Sequence, residues 1–150
     1  MQVKLLGGVE FDRECTPAPT RQTATLLAVL ALAQPRGLTR DRLAAIFWPD
    51  RAELQARANL RQALTTLRRF LADSRHELRL IAEGETVCLE GPAAAVDVWH
   101  LRRALGAPPR MPEAAALYRG DLLEGLALDG PLAAWLMPHR AELQRLALQL

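Results

Sequence analysis

Apolar residues recur every three to four positions over most of the chain, so the sequence reads mainly as helices. Segment 20–34 places Leu26, Leu27, Leu30 and Ala33 at helical spacing, with Thr20 as N-cap and Pro35-Arg36-Gly37 as the stop. Thr39 caps a shorter helix over 40–48 carrying Leu43, Ile46 and Phe47; Pro49 ends it by disfavouring helical geometry in Trp48 before it. Residues 52–73 hold the longest uninterrupted helical pattern. There Leu60, Leu64, Leu67 and Leu71 form a narrow stripe that must face a core. At about 100° per residue, Ala58, Gln62, Thr65 and Arg69 fall on the opposite side. Arg61 and Arg68 flank that side along one edge, and Asn59 and Thr66 along the other.

Period-two runs bracket these helices. Val3, Leu5 and Leu6, then Gly7-Gly8, then Val9 and Phe11 predict a strand or a strand pair, followed by a polar connector with two prolines over 12–19. Residues 78–90 predict a hairpin turning at Glu83-Gly84-Glu85. Gly91-Pro92-Ala93-Ala94-Ala95 is a low-complexity joint, so the chain divides into 1–91 and 96–150. Beyond it the patterns are helical. Asp97 caps a helix over 98–105, Pro112 opens one over 113–118, and a glycine-punctuated turn spans 119–130. The last helix covers 131–150, and Pro138 is expected to kink or split it. Its apolar, uncapped end calls for a second subunit or further chain to cover it.

Half of the 150 residues are hydrophobic and 24% are charged, a globular composition. Cys15 and Cys88 stand apart, which argues for free thiols and against a disulfide scaffold or zinc finger. No signal-peptide pattern opens the chain. The longest apolar run, Leu26–Ala33, is far shorter than the roughly 20 residues of a membrane span. A soluble, cytoplasmic protein without a membrane partner is the expectation.

The net charge of +2 is mild, but its distribution is not. Arg51, Arg57, Arg61, Arg68, Arg69 and Arg75 face only Glu53 and Asp73 in their stretch, leaving the rest of the chain net acidic. That is the footprint of a helix facing a polyanion. Asn59 and Gln62 suit adenine edges, Arg61, Arg68 and Arg69 guanine or phosphate, and Thr65 and Thr66 phosphate or a thymine methyl. A solvated helix made basic for solubility would carry the same charge; its place as third helix, directly before a hairpin, favours DNA.

No catalytic constellation emerges. His76, His100 and His139 are scattered, Ser74 lies in no nucleophile elbow, and Gly7-Gly8 lacks the Gly-Lys-Ser/Thr of a phosphate loop. Asp121 and Glu124 beside Arg119 predict a local ion pair shaping the turn, and Trp99, Trp135 and Tyr118 read as core groups. Nothing here calls for an enzyme, a cofactor or a metal.

Strands, three helices and a hairpin are the element order of a winged helix. Leu38-Thr39-Arg40-Asp41-Arg42-Leu43-Ala44, Phe47-Trp48-Pro49-Asp50, Ala56-Arg57-Ala58-Asn59-Leu60-Arg61-Gln62-Ala63-Leu64 and Leu67-Arg68-Arg69 resemble the DNA-binding module of SARP-type (antibiotic regulatory protein) transcriptional activators. Val96-Asp97-Val98-Trp99 and Leu117-Tyr118-Arg119-Gly120-Asp121-Leu122-Leu123-Glu124-Gly125 resemble the start of the bacterial transcriptional activator domain that follows it. The resemblance implies an α+β winged helix (N-terminal strands, three helices, C-terminal hairpin wing) followed by a short all-α, tetratricopeptide-like segment. It places the third helix in the major groove, the 78–90 hairpin at the minor groove and Trp48 near phosphate. The candidate DNA-binding residues are therefore Trp48, Arg57, Asn59, Arg61, Gln62, Thr65, Thr66, Arg68 and Arg69. Double-stranded DNA, RNA polymerase and a second copy joined through the 96–150 helices are the implied partners. The acidic Glu83-Gly84-Glu85 tip would be repelled by phosphate. The competing reading is a protein-interaction or oligomerisation module whose winged helix does not bind DNA and whose 96–150 helices carry the function.

Overall fold

A computed structural model describes residues 3–11, 19–73, 77–104, 115–126 and 128–149. Strands β1 (Val3–Lys4) and β2 (Glu10–Phe11) pair antiparallel, with Val3 opposite Phe11. Helices α1 (Arg21–Ala33), α2 (Arg40–Phe47) and α3 (Glu53–Asp73) follow. Strand β3 (Leu38–Thr39) runs directly into α2. Strands β4 (Arg79–Glu83) and β5 (Thr86–Glu90) form the hairpin, and β3 joins it in the order β3-β5-β4. A short 3-10 turn, Ala93–Ala95, leads to α4 (Asp97–Ala104) and then α5 (Gly130–Ala147). Three helices with a small antiparallel sheet after them make a mixed α+β, winged-helix-like arrangement. Among the described residues, no helix is long and apolar enough to cross a membrane.

The caps lie where hydroxyls can satisfy the first turns. Thr20 Oγ1 accepts from the Thr23 N–H and Thr39 Oγ1 from the Arg42 N–H, both at 3.2 Å. Pro138 does not split the last helix, which runs unbroken from Gly130 to Ala147. Strand β3 has no period-two signal of its own; it exists because Leu38 and Thr39 pair with Val87 and Thr86 of β5. Gly37 makes that approach possible. Its φ is +75°, and a Cβ there would lie 2.5 Å from the Val87 carbonyl oxygen.

Helix α1 is buried on every side from Thr25 to Leu32, so it is the centre of the core rather than an amphipathic surface helix. Helix α3 and β5 cover part of it, and α4 closes another side. Trp99 of α4 donates its indole N–H to the Ala31 carbonyl at 2.7 Å, and Arg102 donates to Leu32 O at 3.3 Å. These side chains satisfy carbonyls that the end of α1 leaves open.

One apolar core runs from Val3 to Leu143 across residues 91–96. Asp97, 1% exposed, is the polar point within it. Its carboxylate accepts the N–H groups of Leu5, Leu6 and Val98 at 2.8–3.0 Å, tying the N-terminal strands to the start of α4. Burial pushes this carboxyl above its ordinary range, while the N–H groups of Leu6, Leu5 and Val98 pull it back. The 118–126 turn docks on the same strands: Gly7 N–H donates to Asp121 O and Leu123 N–H to Leu5 O, both at 2.9 Å. Arg119 does not form the expected local pair with Asp121 or Glu124. It reaches Glu10 of β2 at 2.9 Å, while Asp121 accepts from Tyr118 and Gln144. The connector over 12–18, the start of the 113–118 helix, and Cys15, Ser74 and His76 lie outside the described residues.

Candidate nucleic-acid interface

Helix α3 turns Leu60, Leu64, Leu67 and Leu71 inward, with Ala56 and Ala63 buried beside them. Its C-terminal half is held from the N-terminal hairpin as well, where Phe11 meets Phe70 edge to face at 5.4 Å. Ala58, Arg61, Gln62, Thr65, Thr66, Arg68 and Arg69 are exposed, and Arg57, Asn59 and Trp48 are half-buried. Among the described residues, the trailing helices leave this face open: α4 packs on α1 and β1, and α5 on α2.

The candidate residues fall into unlike groups. The side chains of Arg61, Gln62, Arg68 and Arg69 make no hydrogen bond or ion pair with the described residues, so their donors are free for a partner. Arg57 is committed elsewhere. Its guanidinium pairs with Asp41 of α2, and its Nε lies 3.8 Å from Glu53. Thr65 and Thr66 donate their hydroxyl protons to the Arg61 and Gln62 carbonyls at 2.9 and 3.1 Å. Their oxygens then face outward as acceptors, suited to a base amino group; a phosphate contact requires the hydroxyls to rotate. Asn59 accepts from Gln55 at 2.9 Å, which leaves its NH2 to donate.

Hollows lie along both edges of the outer face of α3. On the arginine edge, Arg40, Arg57, Arg61, Arg68 and Thr65 line one of about 130 Å³. Arg40 is absent from the set expected on sequence. It arrives from the start of α2, donating its guanidinium to the Gly84 carbonyl at the hairpin turn and its backbone N–H to Glu85 O. Its cation therefore sits at the acidic tip between Glu83 and Glu85. The contact spans 44 positions in the chain, so no local pattern announces it. On the amide edge, Trp48, Asn59, Gln62 and Thr66 face Thr20, Gln22 and Thr23 of α1 across a cleft of about 420 Å³.

The sequence matches no protein-family profile and no curated protein. Among solved structures the chain is similar to Mycobacterium tuberculosis EmbR in complex with a low affinity phosphopeptide. The TM-score is 0.71 at 21% identity, and the match covers 99% of this chain and 42% of that one. The likeness shows that this chain shares the fold of the matching part of EmbR. The chain spans less than half the length of that neighbour.

Proposed function

We propose that this chain is a sequence-specific, DNA-binding transcriptional regulator that lays α3 in the major groove. The observation that carries the reading is the outer face of α3, where Arg61, Gln62, Arg68 and Arg69 stand exposed with no protein partner among the described residues. Folded proteins pair most of their buried polar groups, whereas a row of unpaired guanidinium and amide groups on one rigid rod suits phosphates and base edges. The resemblance to SARP-type activators supports the same reading. Residues 1–91 are then the DNA-binding unit, and 96–150 an activator-type, tetratricopeptide-like helical unit built against it. Trp48, Asn59, Thr65 and Thr66 border the reading face. Arg57 supports it by holding α2 against α3 through Asp41.

Fluorescence anisotropy on labelled duplexes selected from genomic DNA tests this. Affinity is expected to fall steeply as salt rises, because arginines that neutralise phosphates release counterions. Arg68→Ala and Arg69→Ala are each expected to cost about 1–3 kcal/mol on the selected sequence where they bond base edges. Where they bond phosphate alone, the loss is equal on all sequences. Absence of binding at low salt overturns the proposal and leaves the partner-docking reading in its place.

A further inference from the structure

The cleft on the amide edge of α3 is built by three elements. Thr20 and Gln22 enter it from the start of α1, Trp48 from the end of α2, and Asn59, Gln62 and Thr66 from α3. No charged side chain lines it, whereas four arginines line the hollow on the other edge. The backbone at the start of α1 is not what this cleft offers. Thr20 Oγ1 already takes the Thr23 N–H at 3.2 Å, and the Thr20 and Thr23 hydroxyls share a hydrogen bond of 3.0 Å. The offered groups are side-chain donors. Gln22, Gln62 and Trp48 carry N–H groups that have no hydrogen-bond partner among the described residues.

A helix with its side chains is about 10–12 Å across, and the major groove is about 12 Å wide. A groove that takes α3 therefore brings one phosphate wall to each edge of the helix. We infer that the cleft between α1 and α3 seats the sugar–phosphate backbone of one strand through neutral donors, while the arginine hollow holds the other strand by charge. The inference rests on the DNA-binding reading and adds Gln22, on a helix remote from α3 in sequence, to the contact surface. It has a physical signature. Guanidinium contacts to phosphate release counterions and steepen the dependence of affinity on salt, with a slope of about 0.9 per phosphate neutralised. Neutral donors add affinity and leave that slope alone.

The test uses the full chain and a fluorescein-labelled duplex of mixed sequence, since backbone contacts carry no sequence information. Anisotropy titrations are run at a series of salt concentrations for the unsubstituted chain, Gln22→Ala, Gln22→Glu and Arg61→Ala. Gln22 is exposed in the first turn of α1, so both substitutions keep the fold. Glutamate there also favours the helix by sitting at its positive end, so a lower DNA affinity with an unchanged or raised melting temperature separates contact from folding. Gln22→Ala is expected to weaken binding about 10-fold, the loss of one hydrogen bond to a charged group, at an unchanged salt slope. Gln22→Glu weakens it further by repulsion. Arg61→Ala lowers the slope by about 0.9. If both Gln22 variants bind like the unsubstituted chain while Arg61→Ala lowers the slope, DNA binding stands and the seat on the amide edge is wrong. A Gln22→Ala loss accompanied by a lower slope also overturns the seat, because the residue then acts through a displaced arginine. Failure of the unsubstituted chain to bind at low salt removes the DNA reading and this inference together.

Discussion

At the joint between β1 and α4, the carboxylate of Asp97 takes the N–H groups of Leu5, Leu6 and Val98 and is sealed from water. On the outer face of α3, Arg61, Gln62, Arg68 and Arg69 take nothing from the described protein and stand in solvent. Polar groups in the first region are spent on architecture. A buried donor left without a partner costs folding free energy, so each one there is matched. Polar groups in the second region cost nothing while water solvates them, and their hydrogen-bonding capacity is kept for a partner. The ion pair of Arg57 with Asp41 lies between the two regions in place and in kind: it is partly exposed, and it fixes one helix against another.

The first way to break this contrast is at its buried pole. Asp97→Ala orphans the N–H groups of Leu5, Leu6 and Val98, and each such donor costs roughly 1–3 kcal/mol. A loss of about 3 kcal/mol or more is expected in urea unfolding. A loss below about 1 kcal/mol would show the joint to be wet and the contrast false.

A smaller effect is expected at His139, where the interior is imperfectly matched. Its Nδ1 is buried without a partner among the described residues, and the ring lies tilted against Trp135 at a centroid distance of 4.4 Å. Burial, then the Arg102 cation, lower its pKa, and Glu142 opposes them. The unfolded chain therefore takes up this proton at a higher pH than the folded one. Stability is present in full above the unfolded value and is lost as pH falls through it toward the lower folded pKa. Melting temperatures measured downward from pH 7.5 should decline, and His139→Gln should remove part of that decline. An unaltered pH profile in the variant would clear His139 of any part in it.

The smallest effect is expected at the pair between the two poles. Asp41→Asn breaks a surface pair that contributes about 0–1 kcal/mol, so the urea midpoint should hardly move. A loss of several kcal/mol would place the α2–α3 contact with the interior set.

Periodicity and local chemistry were enough to read several elements from sequence alone. The leucine stripe of α3, the threonine caps of α1 and α2, extended backbone at the N-terminus and the β4–β5 hairpin all declare themselves within a few residues, because a helix or strand repeats its buried face at a fixed interval. The outward placement of Gln62, Arg68 and Arg69 follows from the same repeat. Sequence could not reveal which faces would be covered a second time. Helix α1 reads as one-sided, yet Trp99 and Arg102 close its far end from 68 and 70 positions away. Asp97 reads as a helix cap; in the structure it is the first residue of α4 and anchors Leu5, 92 residues earlier. Arg57 reads as a candidate DNA contact, and Arg40 is given no contact role; tertiary packing commits the first to Asp41 and brings the second to the hairpin turn beside α3. A repeat reports only the direction a side chain leaves its own element. The group it meets there belongs to another part of the chain, and only the folded structure decides it.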